Sequence, residues 1–146
     1  MLKKLCIMLI YLIPFISFAE RLQPVTAESE NRFEQWTHIA SDCNNNDLYI
    51  DVNTITSSGN ISTTWVLNDY AESIQCTAND FCRSAVSYNR YDCEERTIQI
   101  LRLYGYLENM GKGRKILVVS NPASINRVLP NSMCEIIYNI ACAVKP

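Results

Sequence analysis

The stretch PNSMCEIIYNIACAV, residues 130–144, decides the fold, because here the apolar pattern changes to a helical period. Met133, Ile136, Ile137, Ile140, Ala141 and Val144 recur at three-and-four spacing, which lines one face of a helix. Ser132 and Glu135 are spaced as a capping box, in which each side chain can satisfy a backbone amide that the first turn leaves free. Pro130 opposes any continuation of the helix backwards. Cys134 and Cys142 stand eight residues apart, roughly 80° around a helix axis. Both are therefore expected to face the neighbouring layer and staple the helix twice.

Upstream of Pro130 the periodicity is that of strands. Segments 34–40 (EQWTHIA), 48–52 (LYIDV), 61–67 (ISTTWVL), 84–91 (SAVSYNRY) and 97–104 (TIQILRLY) are rich in Val, Ile, Thr and aromatic residues, alternate in polarity, and are separated by polar breaks. Ser57-Ser58-Gly59-Asn60 reads as a hairpin turn, and Gly111-Lys112-Gly113 precedes a further apolar run, 115–120. The expected class is α+β, with about six short antiparallel β-strands followed by one C-terminal α-helix.

The chain has 146 residues, the size of one compact domain. Thirteen Lys and Arg against fifteen Asp and Glu give a field too weak and of the wrong sign for a nucleic-acid binder. Lys3 and Lys4 precede an apolar run from Leu5 to Phe18 that ends in Ser17-Phe18-Ala19, the pattern of a cleaved secretion signal over residues 1–19. The run contains Pro14 and falls short of the ~20 apolar residues of a membrane helix, so no transmembrane segment is expected in the mature chain. Cys6 lies at the start of the run, where it cannot accept a lipid, so the sequence is not that of a lipoprotein. Cleavage removes two Lys and no acids, which takes the formal charge from −2 to −4. Residues 20–32 are acidic and polar with no apolar period, and are expected to form a flexible leader to a single domain over 33–146.

Six Cys remain in the mature chain: Cys43, Cys76, Cys82, Cys93, Cys134 and Cys142. An even number in an exported chain predicts three disulfides, and 15 pairings are open to six Cys. Proximity favours Cys76 with Cys82 across a polar, turn-like stretch. A zinc site is disfavoured, because there is no CxxC pair and the one histidine, His38, is distant in sequence from every Cys.

Catalytic chemistry finds little support. His38 is the sole candidate base near neutral pH, and strand alternation puts it on one face with Trp36 and Ala40, as a partly buried structural residue. Glu94 with Glu95, or Asp51 with Asp69, could pair as glycosidase carboxylates, but a solvated turn and a strand end account for them more simply. The four glycines form no phosphate-binding loop. No enzyme, cofactor or metal is expected. Seven Tyr and fourteen Asn in the mature chain suit an adaptable contact surface. Lys112, Arg114 and Lys115 would place three positive charges at a hairpin tip, a patch attractive to acidic or sulfated ligands, although an ordinary soluble turn has the same composition.

An ordered series of short motifs adds to this reading. Trp36-Thr37-His38-Ile39 is followed by Leu48-Tyr49-Ile50-Asp51, the Ser-Ser-Gly-Asn turn, and Trp65-Val66-Leu67-Asn68-Asp69-Tyr70. Then come Ser84, Tyr91-Asp92-Cys93, Arg96, a Gly-containing hairpin over 110–113, Pro130-Asn131-Ser132 and Cys142. In this order they resemble the bacterial surface-adhesin protein E family. The resemblance implies a twisted antiparallel sheet packed on the C-terminal helix and tied to it by a disulfide, by position Cys93 to Cys142. It also implies binding of host extracellular-matrix or serum proteins. Cys43 to Cys134 is then left by elimination as the third bridge. The chain departs from the family pattern in lacking a lipid-accepting Cys after the signal. Two roles follow: a secreted or surface-displayed binding module, or a periplasmic accessory protein such as an inhibitor of a lysozyme-like enzyme. A homodimer is compatible with either.

Overall fold

A computed structural model describes residues 35–119 and 121–144. The expected signal segment and leader, and the outermost residues of the expected domain, lie outside the described residues.

The chain forms an antiparallel sheet closed by one helix. The strands are β1 Thr37–Ser41, β2 Asp47–Ile50, β3 Thr56–Ser58, β4 Ile61–Gln75, β5 Phe81–Asp92, β6 Thr97–Tyr106, β7 Lys115–Val119 and β8 Asn126–Arg127, and the helix α1 is Met133–Ala143. The order across the sheet is β1-β2-β4-β5-β6-β7, with β3 paired to β4 and β8 to β6. Two elements exceed the sequence expectation of six strands. The Ser57-Ser58 segment is itself a short strand that turns at Gly59, whose φ of 58° suits glycine. Asn126–Arg127 is too short to show a period.

Alternation along β4 divides the two faces of the sheet. Val66 joins Leu48, Ile50, Tyr91, Ile137, Tyr138 and Ala141 in a core under the helix, and Ser62 Oγ donates to the Ala141 carbonyl at 2.8 Å. Trp65 and Leu67 point the other way, into a second cluster with Val86, Tyr106, Tyr49, Tyr104, Trp36 and Met110. Beyond Asn68 the residues of β4 no longer alternate, which is why only 61–67 was legible as strand. The strand nevertheless runs on, with a register shift between Asp69 and Ile74, into a hairpin closed by Cys76–Cys82.

The helix is held at several points. Ser132 caps it by accepting from the Glu135 amide at 3.2 Å. The Glu135 carboxylate accepts from the Asn131 amide at 2.8 Å, one residue earlier than a standard capping box would place it. Arg96 reaches over from the β5–β6 turn to pair with Glu135 at 2.7 Å and to cover the Tyr138 ring. Tyr138 Oη donates to the Cys93 carbonyl at 2.7 Å, beside the Cys93–Cys142 disulfide.

The expected third bridge is absent: Cys43 and Cys134 are free and exposed. Cys134 and Cys142 therefore do not both face the sheet, since 80° of rotation is enough to turn one of them out to solvent. Cys43 sits in the β1–β2 turn, beyond Asp47 and its partner Asp69. Cys134 lies in the first turn of α1, and its thiol, like that of Cys43, is exposed; a disulfide between them would need Cα atoms within about 7 Å.

Candidate functional site

The face of the sheet opposite the helix is built from cross-strand rows. One row runs His38, Tyr49, Leu67, Val86, Tyr104 and Leu117 through β1, β2, β4, β5, β6 and β7. The next runs Trp65, Tyr88 and Arg102. Leu67 and Val86 are fully buried, packed by Trp36 and Met110 among others, whereas Leu117 is 55% exposed. Trp65 lies between two tyrosines, with Tyr88 at 5.0 Å and Tyr104 at 6.3 Å between ring centroids. Lys115 caps this run, its Nζ 4.0 Å above the Tyr104 ring. Such a placement is a cation–π contact.

Trp65 and Tyr88 form the floor of a groove of about 950 Å³. One wall is the segment after β2, with Asp51, Asn53, Thr54 and Thr56, joined by Gln35; the other is Leu101, Arg102 and Pro122. The walls are set by local hydrogen bonding. Asp51 accepts from the Asn53 amide at 3.1 Å and so starts a 3-10 turn over Val52–Thr54. The Asn53 carboxamide donates to Gln35. Thr54 Oγ1 donates to the Asp51 carbonyl at 2.7 Å and accepts from the Trp65 amide at 3.1 Å, which ties wall to floor. Tyr88 Oη donates to Thr63 Oγ1 at 2.9 Å, and that hydroxyl is 2.7 Å from Thr56 Oγ1. The Tyr88 ring is thus held by its hydroxyl before any ligand arrives, which lowers the entropy lost on binding. Among the described residues Arg102 has no ion-pair partner.

The three expected tip cations do not form one patch. Arg114 is paired with Asp80 at 2.7 Å, and this bond, with one from Thr77, holds the Asp80 carboxyl below the usual carboxylate range. Lys115 belongs to the aromatic face, and Lys112 stays in the exposed turn. The described cysteines divide into two bridges and two exposed thiols, and among the described residues no three His, Cys, Asp or Glu side chains gather as a metal cluster. Glu94 and Glu95 lie exposed in the β5–β6 turn, where both amides donate to Asp92.

His38 differs from expectation: its side chain is 50% exposed, because β1 is an edge strand and Trp36 stands before it rather than within it. Its Nε2 lies 3.1 Å from Asp47 Oδ1 and 3.3 Å from Ser41 Oγ, and Ser41 Oγ donates to the same Asp47 oxygen at 2.5 Å. The trio has the composition of a catalytic triad without its geometry. In a triad the carboxylate holds one ring nitrogen and the hydroxyl the other; here both lie at Nε2, and the Ser41 hydroxyl donates its hydrogen bond to the carboxylate. Those bonds, with Ser41 first, hold Asp47 below its ordinary pKa.

Of the groove residues, sequence reasoning singled out Asp51 as a possible carboxylate partner of Asp69; in the structure Asp51 accepts from the Asn53 amide and Asp69 from the Met110 amide. Trp65 and Tyr88 could be recognised as neighbours only once the β4–β5 register was known, and Gln35, Leu101 and Pro122 come from three separate parts of the chain.

The same architecture occurs in solved structures. Haemophilus influenzae protein E in crystal form II superposes with a TM-score of 0.61 at 16% identity, covering 75% of this chain and 88% of that chain. Protein E from non-typeable Haemophilus influenzae gives 0.55 at 18%, covering 75% and 76%. Comparison with curated protein sequences gives no match. The family model described as Surface-adhesin protein E matches residues 36–143, which spans the sheet, both disulfides and the helix. The chain belongs to the surface-adhesin protein E family.

Proposed function

We propose that this chain is an exported, surface-displayed binding module that contacts host extracellular-matrix or serum proteins through the face of its sheet opposite the helix. The observation that carries the reading is the contiguous run of Trp65, Tyr88, Tyr104, Arg102 and Lys115 beside exposed Leu117. Trp, Tyr and Arg dominate binding hot spots, because each combines a large apolar area with a polar or charged end. Family membership supports an adhesin-like role, and the Lys3-Lys4 leader with its apolar run supports export. The chemistry of this face suits recognition: Tyr88 is held by its hydroxyl, and among the described residues Arg102 has no ion-pair partner.

The test joins location to binding. Intact cells are labelled with a membrane-impermeant reagent, and the purified protein is titrated against immobilised matrix and serum proteins. Labelling on intact cells together with saturable binding is expected. A protein found solely in the periplasmic fraction would refute surface display and favour the accessory role, because it could not meet a host protein.

A further inference from the structure

We infer that the groove over Trp65 and Tyr88 is a carbohydrate subsite for neutral, β-linked N-acetylhexosamine oligosaccharides carried on host glycoproteins. The inference rests on the proposed host-binding role and names the ligand chemistry of that face. Four features of the groove point to this class.

The floor is aromatic, and a pyranose ring presents a face of C–H groups that packs on such a surface and gains from dispersion and burial. One wall offers the side chains of Gln35, Asn53 and Thr56, which suit hydroxyl partners that both donate and accept. The opposite wall offers Leu101 and Pro122, an apolar patch for the methyl of an acetamido group. The charge is balanced, with Asp51 on one side and Arg102 on the other, which favours a neutral sugar over a sulfated or sialylated one.

Shape adds to this. A volume of about 950 Å³ lies at the upper end of small-molecule sites, about 300 to 1,000 Å³, and exceeds what a single sugar ring needs. Beside the groove the aromatic surface goes on from Trp65 to Tyr104, 6.3 Å away between ring centroids. A β-linked chain is an extended ribbon that can follow such a surface, whereas an α-linked glucan curls away from it.

The test is titration of the protein with triacetylchitotriose, read by Trp fluorescence and by amide chemical shifts, with maltotriose as the comparison. Saturable binding of triacetylchitotriose is expected, with shifts confined to the groove and at least about tenfold preference over maltotriose, the equivalent of one stacked contact. Trp65→Ala should weaken it by about tenfold or more. Trp65 is half-buried on a central strand, so a second variant, Gln35→Ala with Arg102→Ala, removes rim groups without touching the core and should also weaken it several-fold. No binding at about 10 mM, equal affinity for the two sugars, or unchanged affinity in the rim variant overturns the inference. If host-protein binding also survives enzymatic deglycosylation of that partner, the carbohydrate subsite is excluded while the host-binding reading stands.

Discussion

Gly105 sits in β6 directly beneath the Cys76–Cys82 bridge, and a Cβ built there would lie 2.3 Å from Cys82 Sγ. No rotation of a flexible side chain relieves that contact, because the sulfur is held by its bond. Gly105→Ala is therefore expected to cost about 1–3 kcal/mol as an overpacked site or to leave the bridge open. Thermal melting with a thiol assay checks this; a variant with parental melting and a closed bridge would show that the hairpin does not rest on Gly105. Glu135 acts through charge. Its carboxyl is held below the ordinary 4.5, first by the Asn131 amide and then by Arg96. A depressed folded-state pKa means that the contribution is present above the ordinary value and is lost as the pH falls through the folded value. Asp42, Asp47 and Asp80 are lowered from 3.8 in the same sense. Melting temperature should thus be flat above about pH 5 and fall below it, and Glu135→Gln should make that fall shallower. A variant with the parental acid profile would show that Glu135 is not a source of it.

The helix is the element on which the scaffold depends, since it covers Ile50, Val66 and Tyr91 and is bonded to the sheet through Cys93–Cys142. That bridge spans 49 residues, so Cys142→Ser should lower stability by about 2–5 kcal/mol. Because ordinary domains hold about 5–15 kcal/mol, this is a large share of the total. Denaturant unfolding under oxidising conditions measures it, and a midpoint equal to the parent would mean that Tyr138, Arg96 and the apolar face hold the helix without the bridge. Much of this element was legible beforehand. The Ser132 cap and the apolar spacing follow from local rules that operate within one turn. The strands were read well where one face packs on a core, as in 61–67 and 97–104. They were missed where β4 continues past Asn68, because residues exposed on both sides carry no alternation. The tip cations were placed together by sequence proximity alone, whereas Arg114, in the turn before β7, pairs with Asp80 and Lys115, the first residue of β7, lies over Tyr104. The pairing of Cys43 with Cys134 assumed a distance that only the register of the whole sheet determines, and the groove is invisible for the same reason.

At the scale of the molecule the two faces of the sheet divide the work. One is buried under the helix, while the other buries Leu67, Val86 and Tyr106 in a second cluster and carries half-exposed rings and cations around it. The exposed thiols of Cys43 and Cys134 belong to neither core, so the folded, non-reduced protein should react at two thiols among the described residues. Alkylation followed by peptide mapping reads this, and a Cys43–Cys134 linkage in native material would contradict the topology. The central claim is that the face opposite the helix is the contact surface. The most direct test is surface plasmon resonance on immobilised matrix and serum proteins, comparing the parent with Tyr104→Ala combined with Lys115→Ala, and with Ile136→Ala on the exposed flank of the helix. The account predicts that the first variant binds at least about tenfold more weakly while still unfolding cooperatively, at a lower temperature because Tyr104 packs on the second cluster, and that the helix variant binds as the parent does. Full binding by the Tyr104, Lys115 variant, or loss of binding on changing Ile136 alone, would contradict it.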